Sequence, residues 1–381
     1  MVQEKAARNI DIQIRLSRPY LGDKHKLMSL IEEVLDSGFL LQGRYVAQFE
    51  QRVADYLGVK HAIAVSSGTA ALHLSLIALG IGLGDEVIVP AYTFPATANV
   101  VELIGAKPVL VDVDLETYNI QLEQIERAIS TNTKAIIPVH LFGNPVDMGP
   151  IMEIAKKHNV WVIEDAAGAL GSTYKSQKCG TIGHLGCFSF HPRKIVTTGE
   201  GGMVVTNDDD IAEQVRSLRN HGMKVIREKV DFIAAGFNYR MNELEAVLGI
   251  IQIEEIQKVI SERQRLAELY MNALTSIPSI EFQKVLPNCT TVWQAFVVRF
   301  RNRDGGSILK FLRGANIEAN IGTYALHLLR WYSEKYGYKP FDYPNAAELH
   351  FKCLALPFYI GMLPENIGQV ASTLREKLNV D

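Results

Sequence analysis

A lysine, an aspartate, a Ser-Gly-Thr step and a phenylalanine carry the chemistry legible in this chain. Lys194 ends the segment Cys187-Phe188-Ser189-Phe190-His191-Pro192-Arg193-Lys194, just before the glycine-rich turn Gly199-Glu200-Gly201-Gly202. An amine held there, partly out of water, loses its proton near neutral pH and becomes a nucleophile toward an aldehyde. Asp165 follows the run Val160-Trp161-Val162-Ile163-Glu164. The carboxyl end of a buried strand is where open parallel sheets gather their ligand contacts. Ser67, Gly68 and Thr69 precede a strongly apolar helix, so their backbone amides and hydroxyls offer a seat for a phosphate dianion. Phe94 comes soon after the strand Val87-Ile88-Val89 and is placed to stack on a planar ring.

Taken singly, each feature has a plainer reading. Most lysines are solvated surface charges, aspartate is common in turns, Ser and Thr serve as ordinary helix caps, and phenylalanine is usually core. Together they supply an amine nucleophile, a carboxylate, a phosphate cradle and an aromatic plate.

The elements that must position them follow from periodicity. Leu27, Leu30, Ile31 and Leu35 share one helical face, and Val46, Phe49, Val53 and Tyr56 share another, with Asp36-Ser37-Gly38 between. β-Branched runs at 87–89, 109–111, 135–137 and 160–163 then alternate with helical segments near 94–104, 121–129 and 148–158. That alternation predicts crossover units and a buried parallel sheet covered by helices. Two closely spaced strands follow, Cys187 to Phe190 and Met203 to Thr206, and the polar turn between them bears Lys194. A long helical region from Asn242 to about Ser276 leads out of the large domain. A strand at 293–300, a helix near 307–314 and a closing helix over 364–377 make a smaller α+β domain. The expected division is 1–255 and 256–381.

The composition agrees with two packed domains. The chain has 381 residues, 48% of them hydrophobic and 21% charged, and a net charge of −3 scattered along its length. No basic face exists for nucleic acid. The four cysteines form no CxxC pair and read as reduced thiols of a cytoplasmic protein. The segment Met1 to Arg15 mixes charges among its apolar residues, unlike a secretory leader. The longest apolar stretch, 70–83, is broken by His73, Ser75, Gly80 and Gly82, so no membrane span is expected.

In order and separation these features resemble the sugar aminotransferases of the DegT/DnrJ/StrS family. The likeness runs from Pro19-Tyr20-Leu21-Gly22 and Ser37-Gly38-Phe39-Leu40-Leu41-Gln42-Gly43, through Phe188 to Lys194 and Gly199 to Gly202, to Leu356-Pro357-Phe358-Tyr359. It implies an α/β architecture, fold type I of the pyridoxal-phosphate (PLP)-dependent transferases: a large, mostly parallel sheet domain with helices on both faces and a smaller C-terminal α+β domain. It further implies that Lys194 holds pyridoxal 5′-phosphate covalently and moves a proton at the reacting carbon. By the same resemblance Asp165 pairs with the pyridine nitrogen, Gly68, Thr69 and Ser189 contact the phosphate, and Phe94 stacks on the ring. Within Gly236-Phe237-Asn238-Tyr239-Arg240-Met241, Asn238, in preference to Arg240, would reach the phosphate of a neighbouring subunit, making a homodimer with shared sites.

The implied reaction moves an amino group from L-glutamate to C3 or C4 of a nucleotide-linked keto sugar, with no metal. Sugar dehydratases of the same family carry His where Lys194 stands, so the lysine argues against that activity. Intact Lys194 and Asp165 argue against a non-catalytic, regulatory relative. One position departs from the pattern. After Asp165-Ala166-Ala167 the family usually places Gln, His or Glu, and here stands Gly168. Tyr324 and His327 lie in a segment that could approach the sugar, although packing accounts for either more simply.

Overall fold

The computed structural model describes residues 13–378, so most of the amino-terminal stretch weighed above as a leader lies outside the described residues. A seven-stranded sheet forms the larger body, in the order His61–Val65, Gly202–Thr206, Leu185–Ser189, Trp161–Asp165, Thr133–Ile136, Glu86–Pro90 and Lys107–Val111. Only Gly202–Thr206 runs against the others, antiparallel to both of its neighbours. The sheet is buried on both faces, and alternate residues feed opposite cores. Ile63, Val65 and Val204 join the core beneath helix Gly68–Ala78, while Ala62, Ala64, Met203 and Val205 join that beneath helices Arg44–Leu57 and Glu243–Glu254.

Helix Arg44–Leu57 begins at Gly43, which has no capping side chain. Glu243 supplies the missing acceptor: its carboxylate takes the amides of Gly43, Tyr45 and Val46 at 2.9, 2.9 and 3.0 Å. Phe49 then packs on Gly249, where an added Cβ would lie 2.5 Å from the ring. These contacts lock the two helices together and form the floor under the lysine turn.

The helical region expected over 242–276 is two helices, Glu243–Glu254 and Ile256–Leu274, joined at Glu255. Ile256, Val259 and Ile260 pack with the large sheet's core, whereas Leu266, Ala267, Tyr270 and Leu274 pack with the carboxy-terminal one. That second core rests on an antiparallel sheet of Ile280–Phe282, Phe296–Phe300, Cys353–Leu356 and Asn320–Ile321. Tyr270 stacks on Phe296 with centroids 4.7 Å apart, and its hydroxyl donates to Pro357 O at 2.8 Å.

Among the described residues no helix is long and apolar enough to cross a membrane. All four cysteines are free, and no His/Cys/Asp/Glu group suited to a metal occurs among the described residues.

Candidate active site

Strand register brings the sequence features together at one end of the large sheet. Asp165 lies beside Cys187, two residues before Ser189. Gly202 pairs with both Ser189 and Val65, which draws the Ser66-Ser67-Gly68 turn and the lysine turn to the same edge. Glycine is required where these segments meet. A Cβ on Gly68 would stand 2.7 Å from Cβ of Ser189, and one on Gly202 would overlap the carbonyl of Ser67.

A cavity of about 580 Å³ opens at this edge, lined by Ser67, Gly68, Thr69, Phe94, Thr97, Asp165, Gly168, Ser189, Lys194, Arg263, Gln294 and Tyr324 among others. Its size falls within the range of small-molecule cofactor sites, ~300–1,000 Å³. Ser67 caps helix Gly68–Ala78, its Oγ accepting from Ala70 N at 3.0 Å. The amides of Gly68 and Thr69, at the first two helical positions, have no intrahelical acceptor and are left for a ligand.

Asp165 is 6% exposed. Its Oδ2 accepts from Thr97 Oγ1 at 2.8 Å and its Oδ1 from Ala167 N at 3.2 Å. The adjacent Glu164 points to the other face of the sheet and is wholly structural, accepting His140 Nε2 at 2.8 Å and the amides of Gly180, Ile182 and Gly183 at 2.7, 2.6 and 2.6 Å. His140 Nδ1 accepts from Val146 N at 3.0 Å, so the ring carries its proton on Nε2.

Lys194 sits in a turn tied down on both sides. Its amide donates to His191 O at 2.8 Å. Gln252 grips the following residues, accepting Thr197 N at 3.0 Å and donating to Thr197 O at 2.5 Å. Desolvation lowers the Lys194 pKa from its ordinary value; the charge of Asp165 opposes that shift and Arg193 reinforces it. A lysine so placed is a neutral amine for more of the time than a surface lysine.

Phe94 is 62% exposed at the cavity rim, in edge contact with Tyr324 at 6.3 Å between centroids. Strand pairing of Tyr324 with Thr93 puts the tyrosine there, whereas His327 is buried against Pro340 O at 3.3 Å and does not line the cavity. Asn238 is exposed and lies outside this chain's own cavity, with its Oδ1 accepting from Arg240 Nε at 3.1 Å and Nη2 at 2.9 Å. Its segment runs beside the phosphate-type cradle because Ser66 N donates to Tyr239 O at 2.8 Å.

Thr97, Gln294 and Arg263 were not read from the sequence. Thr97 has the signal of an ordinary first-turn threonine, and the other two arrive from segments far along the chain.

Residues 22–375 match the DegT/DnrJ/EryC1/StrS aminotransferase family. A GDP-perosamine synthase of Caulobacter vibrioides is 41% identical over 373 residues, spanning 96% of this chain and 98% of that protein. Among solved structures, DesI in the presence of its TDP-sugar product superposes with a TM-score of 0.89 at 30% identity, covering 97% of this chain and 94% of that one. The PLP form of Spr1654 from Streptococcus pneumoniae, a sugar aminotransferase by its description, gives a TM-score of 0.90 at 26% identity, over 96% and 98%.

Proposed function

This chain belongs to the DegT/DnrJ/EryC1/StrS aminotransferase family, and from that premise we propose that it transfers the amino group of L-glutamate to C3 or C4 of a nucleotide-linked keto sugar. It is a sugar aminotransferase and its cofactor is pyridoxal 5′-phosphate. The similarity to GDP-perosamine synthase and to DesI, solved with a TDP-sugar product, supports a nucleotide-linked acceptor.

The residues fit that cofactor. A dianionic phosphate suits the amides of Gly68 and Thr69 and the hydroxyls of Thr69 and Ser189, at the positive end of helix Gly68–Ala78. When bound, the cofactor supplies an aldehyde that carries the amino group and a ring that takes up the electrons freed when a C–H bond breaks.

The protein's own groups do the rest. Lys194 Nζ, its pKa lowered by desolvation, would hold the cofactor, and its amine is the group placed to hold and move a proton at the reacting carbon. Asp165, oriented by Thr97 and Ala167 N, would pair with the ring nitrogen. Phe94, at the cavity rim, would cover one ring face. Asn238 of the partner subunit completes the phosphate seat, so the active unit is a homodimer. Exposed apolar side chains support an unfilled interface, among them Phe39 and, on the hairpin Met223–Phe232, Val225, Val230 and Phe232. We place the enzyme in the cytoplasm, on its four unpaired thiols, and its division into lobes at 255/256.

The observation that carries this reading is the convergence of Lys194, Asp165 and the Gly68/Ser189 cradle on one cavity. The test is optical. The reconstituted protein is yellow, L-glutamate bleaches the band, and keto sugar nucleotides restore it. A band that no amino donor bleaches overturns the proposal.

A further inference from the structure

Gly168 has no side chain, and the space beside it is filled from elsewhere. A Cβ placed on Gly168 would lie 3.2 Å from Oε1 and 3.4 Å from Cγ of Gln294. Gln294 comes from the chain beyond helix Ile256–Leu274 and touches three separate segments. Its amide N–H donates to Phe142 O at 2.9 Å. Its carbonyl accepts from Arg263 Nη2 at 2.6 Å, while Arg263 Nε donates to Trp293 O at 2.8 Å. Its side-chain Nε2 donates to Arg193 O at 2.8 Å, on the peptide that leads directly into Lys194.

Arg263 makes this anchor rigid. It is 6% exposed, has no carboxylate partner among the described residues, and lies 4.7 Å from the ring centroid of Phe358. Its charge is stabilised by the two carbonyls and the ring face. Withdrawing those carbonyls would leave a buried cation short of acceptors, so the backbone at 293–294 is held firmly.

We propose that Gln294 is a positioning residue for Lys194: it clamps the Arg193–Lys194 peptide across the cavity and keeps water out of the gap beside Gly168. The inference rests on the assignment of Lys194 as the residue that holds the cofactor. Two effects follow. The clamp fixes where the lysine side chain begins, and the plug maintains the desolvation that favours its neutral form.

The test uses the full-length protein loaded with pyridoxal phosphate, with Gln294→Ala, which removes clamp and plug, and Gln294→Met, which keeps the volume and loses the donor. Thermal melting checks that each variant folds. For Gln294→Ala, kcat falls by about tenfold with KM for L-glutamate nearly unchanged, since the residue orients the reacting amine. The pH midpoint of its visible band rises by about one unit as water enters. Gln294→Met shows the fall in kcat with a smaller pH shift.

Folded variants with wild-type kcat and midpoint overturn the proposal. Wild-type behaviour of Gln294→Met alone overturns the clamp. Lys194→Ala separates this failure from that of the broader reading. If it keeps the band and turnover, the lysine assignment falls; if it loses both while Gln294 variants behave as wild type, only the role of Gln294 falls.

Discussion

Thr97 Oγ1 donates a hydrogen bond of 2.8 Å to Oδ2 of Asp165, and both side chains are buried. Thr97 lies in the first turn of helix Ala96–Leu103 and Asp165 at the end of the neighbouring strand system, so the bond ties a helix start to the carboxylate. Thr93 Oγ1, 3.2 Å from Thr97 Oγ1, extends the chain of hydroxyls. With Ala167 N on Oδ1, each carboxylate oxygen has one donor and keeps lone pairs for a ligand.

Thr97→Val therefore weakens the cofactor site more than the fold. The variant keeps the volume and removes one hydrogen bond to a charged group, worth roughly 1.5–3 kcal/mol. The dissociation constant for pyridoxal phosphate is expected to rise by about tenfold or more, and Thr97→Ser to restore most of it. Equal affinities for the wild type and Thr97→Val would leave the hydroxyl without a role.

Lys194 makes the stability of the cofactor-free chain depend on pH. Desolvation lowers its folded pKa from the ordinary 10.5, partly offset by Asp165. Between the lowered value and 10.5 the unfolded chain binds more protons, so stability rises with pH across that window. Below it the penalty of burying the charge is present in full. Lys194→Met removes the penalty: denaturant unfolding should show it more stable than wild type at neutral pH, with the advantage shrinking as pH rises toward 10.5 and gone above it. A gap that does not change with pH would show that the amine is hydrated in the fold.

Much of this was legible in one dimension because the large sheet announces itself locally. Val160 to Ile163 is a β-rich apolar run of strand length, and Asp165 follows it after Glu164. Lys194 was marked by its place between an apolar strand and a glycine-rich turn, and register pairs the two flanks of that turn at Ser189 and Gly202. The edge strand His61–Val65 was missed because its alanines give weak β signal. The exposed hairpin Met223–Phe232 was missed because it has no buried face to impose a pattern. Gln294 was illegible for a deeper reason: its hydrogen bond to Arg193 spans 101 residues, and neither residue carries a local trace of it. Gly168 read as a missing group, and the packing against Gln294 shows that the space is occupied.

Gly68→Ala tests the phosphate cradle without touching a charge. Its Cβ would stand 2.7 Å from Cβ of Ser189, a backbone-anchored atom that cannot swing aside, so the helix start must withdraw from the strand. Loss of the cradle is expected to raise the dissociation constant for pyridoxal phosphate by at least about tenfold. Pyridoxal, which lacks the phosphate, should bind nearly as it does to wild type, because only the anion site has moved. Parallel losses for both compounds would mean the damage is general misfolding.

Asn238 decides whether two chains build each site. Suppose Lys194→Ala and Asn238→Ala chains, each inactive or nearly so alone, are mixed and allowed to re-pair. If Asn238 reaches across the dimer, a hybrid has one site carrying both lesions and one carrying neither. Random re-pairing would then return about a quarter of wild-type activity. If Asn238 serves its own chain, every hybrid site is damaged and activity stays at the level of the separate variants. Its exposed position outside its own cavity favours the first outcome, and the activity of the re-paired mixture measures which holds.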